Sequence, residues 1–166
     1  MNQQPLPKRK NQRLPCFDYS TNSRYFLTVC TKDKTKILSK VVVGDIINPA
    51  YVVLTDIGKT VERYILSSEN MEGIAIENYV IMPNHIHIIV AYTGNDGSSG
   101  APTHTNAIIP RLVSSLKRLV NKEVGHPIWQ RGYYDHVIRG EEDYREIWSY
   151  IDNNPAHWAE DEYYAS

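Results

Sequence analysis

The sequence predicts an α+β fold, a mostly antiparallel sheet of ferredoxin-like type with helices packed on one face. Three observations carry this. Strand and helix signals follow the order strand, helix, strand, strand, helix, strand, helix over 166 residues, a length suited to one domain. Two apolar, β-branched runs, residues 74–82 and 85–90, are separated only by the turn signal Pro83-Asn84, so they should pair antiparallel. The helical segments repeat apolar residues at i, i+3, i+4 and i+7, which leaves each with one face to bury.

Each element has its own reason. Residues 1–15 are polar, Pro-punctuated and basic, and read as a flexible arm; residues 16–166 read as the single domain. Tyr25 to Thr31 (YFLTVCT) is a strand, and Lys36 to Val43 holds a short one. Asn48-Pro49 marks a turn before the strand Tyr51 to Leu54. Thr55 is an N-cap for a helix with Ile57, Val61, Tyr64 and Ile65 on its buried face, ending near Ser68 to Asn70. The Gly- and Ser-rich stretch from Thr93 to Thr105 is a loop within the domain. A second helix carries Ile109, Leu112, Val113, Leu116, Leu119 and Val120, tolerates Pro110 in its first turn and stops at Gly125. Trp129 to Ile138 reads as a strand. Glu141, Glu142 and Asp143 then open a third helix, which Pro155 ends.

Composition narrows the function classes. Apolar content of 42% and charged content of 22% are those of an ordinary soluble protein. No secretory segment and no run of membrane-spanning length occurs, and Cys16 and Cys30 show no CxxC spacing, so the expectation is a cytoplasmic protein with free thiols and no membrane partner. The formal net charge of −1 is not that of a uniformly basic nucleic-acid binder, but the cations cluster. Lys8, Arg9, Lys10 and Arg13 form an acid-free head, and Arg111 to Arg131 holds five basic residues against one acid. Lys117 and Arg118 lie on a helix face turned to solvent or to phosphates.

The chemistry centres on MPNHIHIIV, Met82 to Val90. In a strand, residues two apart share a face, so His85 and His87 project side by side while Ile86, Ile88 and Val90 enter a core. Two imidazoles on rigid backbone are half a metal site. On the last helix, Tyr144, Ile147, Trp148 and Ile151 form the apolar stripe. Tyr150 lies roughly 110° from its centre, on the flank. Asn154 is four residues on and shares Tyr150's face, provided that it caps the helix ahead of Pro155. A phenol with a pKa of about 10 is a poor nucleophile at neutral pH, and a divalent metal beside it would polarise a phosphate. Two imidazoles and an amide oxygen would make a three-ligand site with positions left for phosphate oxygens and water.

The blocks RLPCFDYS, YFLTVCTKD, MPNHIHIIV, IWQRGYYDHVIRGEEDY and IWSYIDNNPAHW span nearly the whole chain. In order and spacing they resemble the single-tyrosine HUH transposases, specifically the REP-associated tyrosine transposases. The resemblance implies the HUH transposase fold. It implies His85, His87 and Asn154 as ligands of Mg²⁺ or Mn²⁺, with Tyr150 as the catalytic nucleophile. Insertion-sequence relatives carry Gln where this chain has Asn154. The implied reaction is cleavage and rejoining of single-stranded DNA at hairpin-bearing sites through a 5′-phosphotyrosine link, by a monomer or a homodimer.

Other readings stand beside this one. Tyr133 and Tyr134 are rival nucleophiles, or a base-stacking platform. His136, with the cations named above, is a candidate DNA contact. The chain could instead be a non-catalytic hairpin DNA- or RNA-binding protein of the same fold. A histidine-triad hydrolase would need a further histidine where Ile89 stands.

Overall fold

Ile86, Ile88 and Val90 turn to one side of their strand and His85, His87 and Ile89 to the other, and all are buried. A strand buried on both faces belongs in the middle of a sheet. The computed structural model, which describes residues 23–44, 49–93 and 108–158, puts it there. The elements are β1 (Ser23–Cys30), β2 (Ser39–Val42), β3 (Tyr51–Leu54), α1 (Asp56–Ser67), β4 (Ile74–Ile81), β5 (His85–Tyr92), α2 (Ile108–Val124), β6 (Tyr134–Ile138) and α3 (Gly140–Asn153). The main sheet runs β4-β5-β1-β6, with every neighbouring pair antiparallel. β2 and β3 form a separate two-stranded sheet. The basic arm with Lys8, Arg9, Lys10 and Arg13, Cys16 and most of the Gly- and Ser-rich loop lie outside the described residues.

The sheet separates two cores. On one side Tyr25, Leu27 and Val29 of β1 join Ile86, Ile88 and Val90 of β5 beneath Val61 and Ile65 of α1 and five apolar residues of α2. On the other, Phe26, Val80, Met82, Ile89 and Ile138 meet Ile151 and Trp158, with Tyr144, Ile147 and Trp148 of α3 at the margin. Helices on one face is therefore correct for α1 and α2, but α3 crosses the opposite face, the one that carries the histidines. An amphipathic stripe fixes which side of a helix is buried; it does not fix which side of the sheet buries it.

Local chemistry explains the boundaries. The Thr55 hydroxyl accepts from Gly58 N–H at 3.0 Å and donates to the carbonyls of Ile37 and Leu38, capping α1 and docking it on the segment before β2. Pro110 sits in the first turn of α2, and Gly125 follows the helix at φ +87°. The strand expected over Trp129 to Ile138 is shorter than that. Gly132, at φ +84°, turns the chain, so the strand begins at Tyr134, while Trp129 makes a single bridge to Thr31. Among the described residues no helix is long and apolar enough to cross a membrane.

Three contacts fix α3. The Asp143 carboxylate accepts from the Arg139 backbone N–H at 2.7 Å and pairs with His136 Nε2 at 2.9 Å, tying the helix start to β6. Burial works to raise the Asp143 pKa, but the bonds from Arg139 and His136 outweigh it and hold the carboxyl below its ordinary 3.8. Near the helix end, Asn78 Nδ2 donates to Asp152 Oδ1 at 2.9 Å, reaching β4 at the far edge of the sheet.

Two stability tests follow from these contacts. A Cβ on Gly58 would stand 2.0 Å from the Leu38 carbonyl oxygen. Gly58→Ala should therefore cost about 2–3 kcal/mol and lower the melting temperature by roughly 5–10 °C. The exposed neighbour change Lys59→Ala should stay within about 0.5 kcal/mol of the parent. Equal melting temperatures for the two variants would contradict the tight docking of α1. Asp143→Ala should cost about 1–2 kcal/mol at neutral pH. Because the folded carboxyl titrates below its unfolded value, that difference is complete above pH about 4. It shrinks as pH falls through the lowered folded value. Urea unfolding of both proteins across the acid range measures it.

Candidate metal and nucleophile site

Pro83-Asn84 turns the chain from β4 into β5, so His85 opens the strand and His87 follows on the same face. Cross-strand register sets His85 opposite Cys30, and His87 opposite Thr28. Both imidazoles are buried, at 0% and 2% exposure, with ring centroids 4.5 Å apart. Burial, and then the nearby Lys34 ammonium, pushes the His85 pKa down to about 3. Burial, and then His85, drives His87 well below its ordinary value. Both rings are therefore neutral at physiological pH, the form that ligates a cation.

Each ring is also aimed. His85 Nδ1 donates to Asn84 Oδ1 at 2.9 Å, which leaves its lone pair on Nε2. His87 Nδ1 meets the Thr28 hydroxyl at 2.9 Å, and its Nε2 faces the phenol of Tyr150 at 3.4 Å. Phe26 stacks on His87 at 5.0 Å and meets the Tyr150 ring edge-on at 6.1 Å, closing one side of the group.

Tyr150 lies on the flank of α3 and is 44% exposed, with its hydroxyl 3.4 Å from His87 Nε2. Asn154 caps α3 in helical conformation, φ −56° and ψ −40°, despite Pro155 after it, and its side chain is buried. The Trp158 ring, beyond that cap, lies 6.0 Å from the ring of His85. Among the described residues no three His, Cys, Asp or Glu side chains gather to hold a metal. A cation here would need a neutral oxygen donor beside the two imidazoles, and the chemistry of the Asn154 amide fits that need. Neutral imidazoles whose second nitrogens are already committed are the arrangement that a divalent ion requires.

The remaining candidates separate by face. Tyr133 packs against the α1/α2 core. Tyr134 stands opposite Thr28, on the histidine side, and is 53% exposed. His136 stands opposite Phe26 on the same side and is held by Asp143. Lys117 and Arg118 ride on α2, across the sheet from the histidines. Lys117 donates to the carbonyls of Gln130 and Gly132, so its ammonium braces the turn before β6. Burial pushes its pKa down to about 8. Thr28, Lys34 and Asn84 join the site without having been expected there. Only Asn84 left a trace in the sequence, as half of a turn signal.

The family described as "Transposase IS200 like" matches residues 19–154. An uncharacterized protein of Haemophilus influenzae is 32% identical over 94% of this chain and 93% of its own length. A second protein of that organism, named "Putative REP-associated tyrosine transposase", is 27% identical over 83% of this chain and 73% of its own. Among solved structures, a REP-associated tyrosine transposase bound to a REP hairpin superposes with a TM-score of 0.62 at 20% identity. That match covers 88% of this chain and 74% of the other, and it shows the shared fold. The chain thus belongs to the IS200-like transposase family, and its resemblance within that family is to the REP-associated tyrosine transposases.

Proposed function

We propose that this protein is a metal-dependent endonuclease and strand transferase for single-stranded DNA, acting at hairpin-bearing sites through a 5′-phosphotyrosine intermediate. The observation that carries the proposal is the approach of the Tyr150 hydroxyl to 3.4 Å from His87 Nε2 within one chain. A phenol next to a buried pair of neutral imidazoles is hard to explain by packing alone, since burying each polar ring costs free energy. The solved structure with a bound hairpin supports hairpin DNA as the substrate class.

The chemistry balances without an external energy source. The Tyr150 oxygen attacks the scissile phosphorus and loses its proton to solvent. The bond from phosphorus to the 3′ oxygen breaks, and that oxygen takes up a proton to become a free 3′-OH. One phosphodiester replaces another, so a 3′-OH can attack the phosphotyrosine and rejoin a strand. Mg²⁺ or Mn²⁺, held by His85, His87 and Asn154, would polarise the scissile phosphate and stabilise charge on its oxygens. Phe26 packs against the Tyr150 ring, and Thr28 and Asn84 keep the two imidazoles aligned. Tyr150, His85 and His87 lie together within one chain, which supports a site that does not borrow its tyrosine from a partner.

Tyr150→Phe should bind labelled hairpin oligonucleotides within about twofold of the parent, yet form no covalent adduct on a denaturing gel with Mn²⁺ present. Adduct at the parental level would remove Tyr150 from the chemistry, and Tyr133→Phe and Tyr134→Phe then identify the rival. Chelator should abolish adduct while leaving most hairpin binding intact. If the parent binds but never forms adduct at any Mn²⁺ concentration, the non-catalytic reading replaces this one. Thr28→Val removes the partner of His87 Nδ1 at nearly constant volume. It should raise the Mn²⁺ concentration for half-maximal adduct about 10–100-fold while the saturating rate changes little. An unchanged midpoint would contradict a part for the Thr28 contact in metal binding.

A further inference from the structure

Asp33 and Lys34 are the non-glycine residues at positive φ among the described residues, at 53° and 50°. Side-chain-bearing residues hold that conformation where their surroundings over-determine it, and such places cluster at working sites. Here the turn is fixed by a buried pair. Thr31 donates through N–H and hydroxyl to the Asn84 carbonyl at 2.9 and 3.0 Å, and its hydroxyl also lies 2.8 Å from the Thr35 carbonyl. The Asn84 amide donates to the Lys34 carbonyl at 3.3 Å while its oxygen orients His85. One side chain therefore sets both a candidate ligand and the backbone of Lys34.

The Lys34 side chain borders a trough of about 220 Å³ that runs between β1 and the turn before β6, over Thr28, Cys30 and Tyr134. Across Lys34 and Arg131 it continues into a second hollow of about 450 Å³, bordered also by Lys32. Three cations face one carboxylate, Asp33, along its length. The trough is open along its side, unlike a small-molecule pocket, and its wall includes Thr28 and Cys30, the cross-strand partners of His87 and His85. In the row Tyr134, Thr28, His87, neighbouring strands stand one beside another. Tyr134 is thus two strand spacings, roughly 10 Å, from His87. An exposed tyrosine at the end of a cationic trough is the usual construction of a single-strand track.

We infer that this trough seats the strand next to the cleaved bond, with Lys34 contacting the phosphate adjacent to the scissile one and Tyr134 stacking on the neighbouring base. The inference rests on the nuclease reading given above and adds a substrate-contacting residue to it. The probe is whichever single-stranded hairpin oligonucleotide from a library forms adduct with the parent protein and Mn²⁺. Lys34→Gln should slow adduct formation about 10–100-fold, and Lys34→Arg should restore most of the rate. The slope of log affinity against log salt should fall by about 0.7 in Lys34→Gln. A single methylphosphonate beside the scissile phosphate should slow the parent and leave Lys34→Gln no slower. A parental rate for Lys34→Gln, or an equal methylphosphonate penalty in both proteins, overturns the inference and leaves the nuclease reading standing. Absence of any adduct with the parent overturns both. Should Lys34→Gln fail to fold, Tyr134→Ala decides. An abasic nucleotide beside the cleavage point should slow the parent and not that variant; equal slowing overturns the inference.

Discussion

The two-residue repeat of β5 is the constraint from which the rest follows. Its even-numbered isoleucines and Val90 are locked under α1 and α2, so the strand cannot slip by one residue without turning that core outward. The same lock forces every odd-numbered residue to the opposite face. His85 and His87 are therefore held in place by the apolar side chains between them. The sequence HIHIIV encodes a rigid pair of imidazoles because it first encodes a central strand.

Burying the two rings has a cost, and the fold shows how that cost is met. A protonated imidazole has no place there, so both rings are neutral, and each then needs a partner for the nitrogen that keeps its hydrogen. Asn84 serves His85, and Thr28 serves His87. These partners sit on the adjoining turn and the adjoining strand, so the ring orientations are as firm as the sheet itself. Such firmness suits the ligand role proposed for the two rings.

Much of this was legible in the residues. Alternation placed the histidines on one face, and the helical stripe put Tyr150 on a flank with Asn154 one turn on. The Thr55 cap and the Pro110 and Gly125 positions follow local rules that tertiary context did not override. The side of the sheet taken by α3 was not legible, because periodicity carries no information about which of two faces receives a helix. The break before β6 was missed because Gly132 interrupts a run whose other residues favour a strand. Lys34 was invisible for a different reason. In the string TKDKTK nothing marks one lysine from another, and it is Thr31 and Asn84, distant by 53 residues, that single it out. Lys117 is a cation in a basic cluster whose ammonium is engaged by carbonyls of its own chain, which the sequence does not reveal either.

The path of α3 explains why the Tyr150 phenol and the imidazoles meet within one chain. A single residue, Arg139, separates β6 from the helix, and Gly140 at φ +81° turns the chain sharply onto the histidine face. Asp143 pins this start to the edge strand β6, and Asp152 reaches Asn78 on β4, the opposite edge. Fourteen residues of helix span roughly 21 Å, and four strands span roughly 14 Å between their outer axes. The helix is thus long enough to cross the whole sheet. Residue 150 comes about 15 Å along it, beyond β1 and over β5. Had the connection been long, α3 could have packed elsewhere or crossed to a second protomer. The short turn leaves the phenol one destination, beside His87.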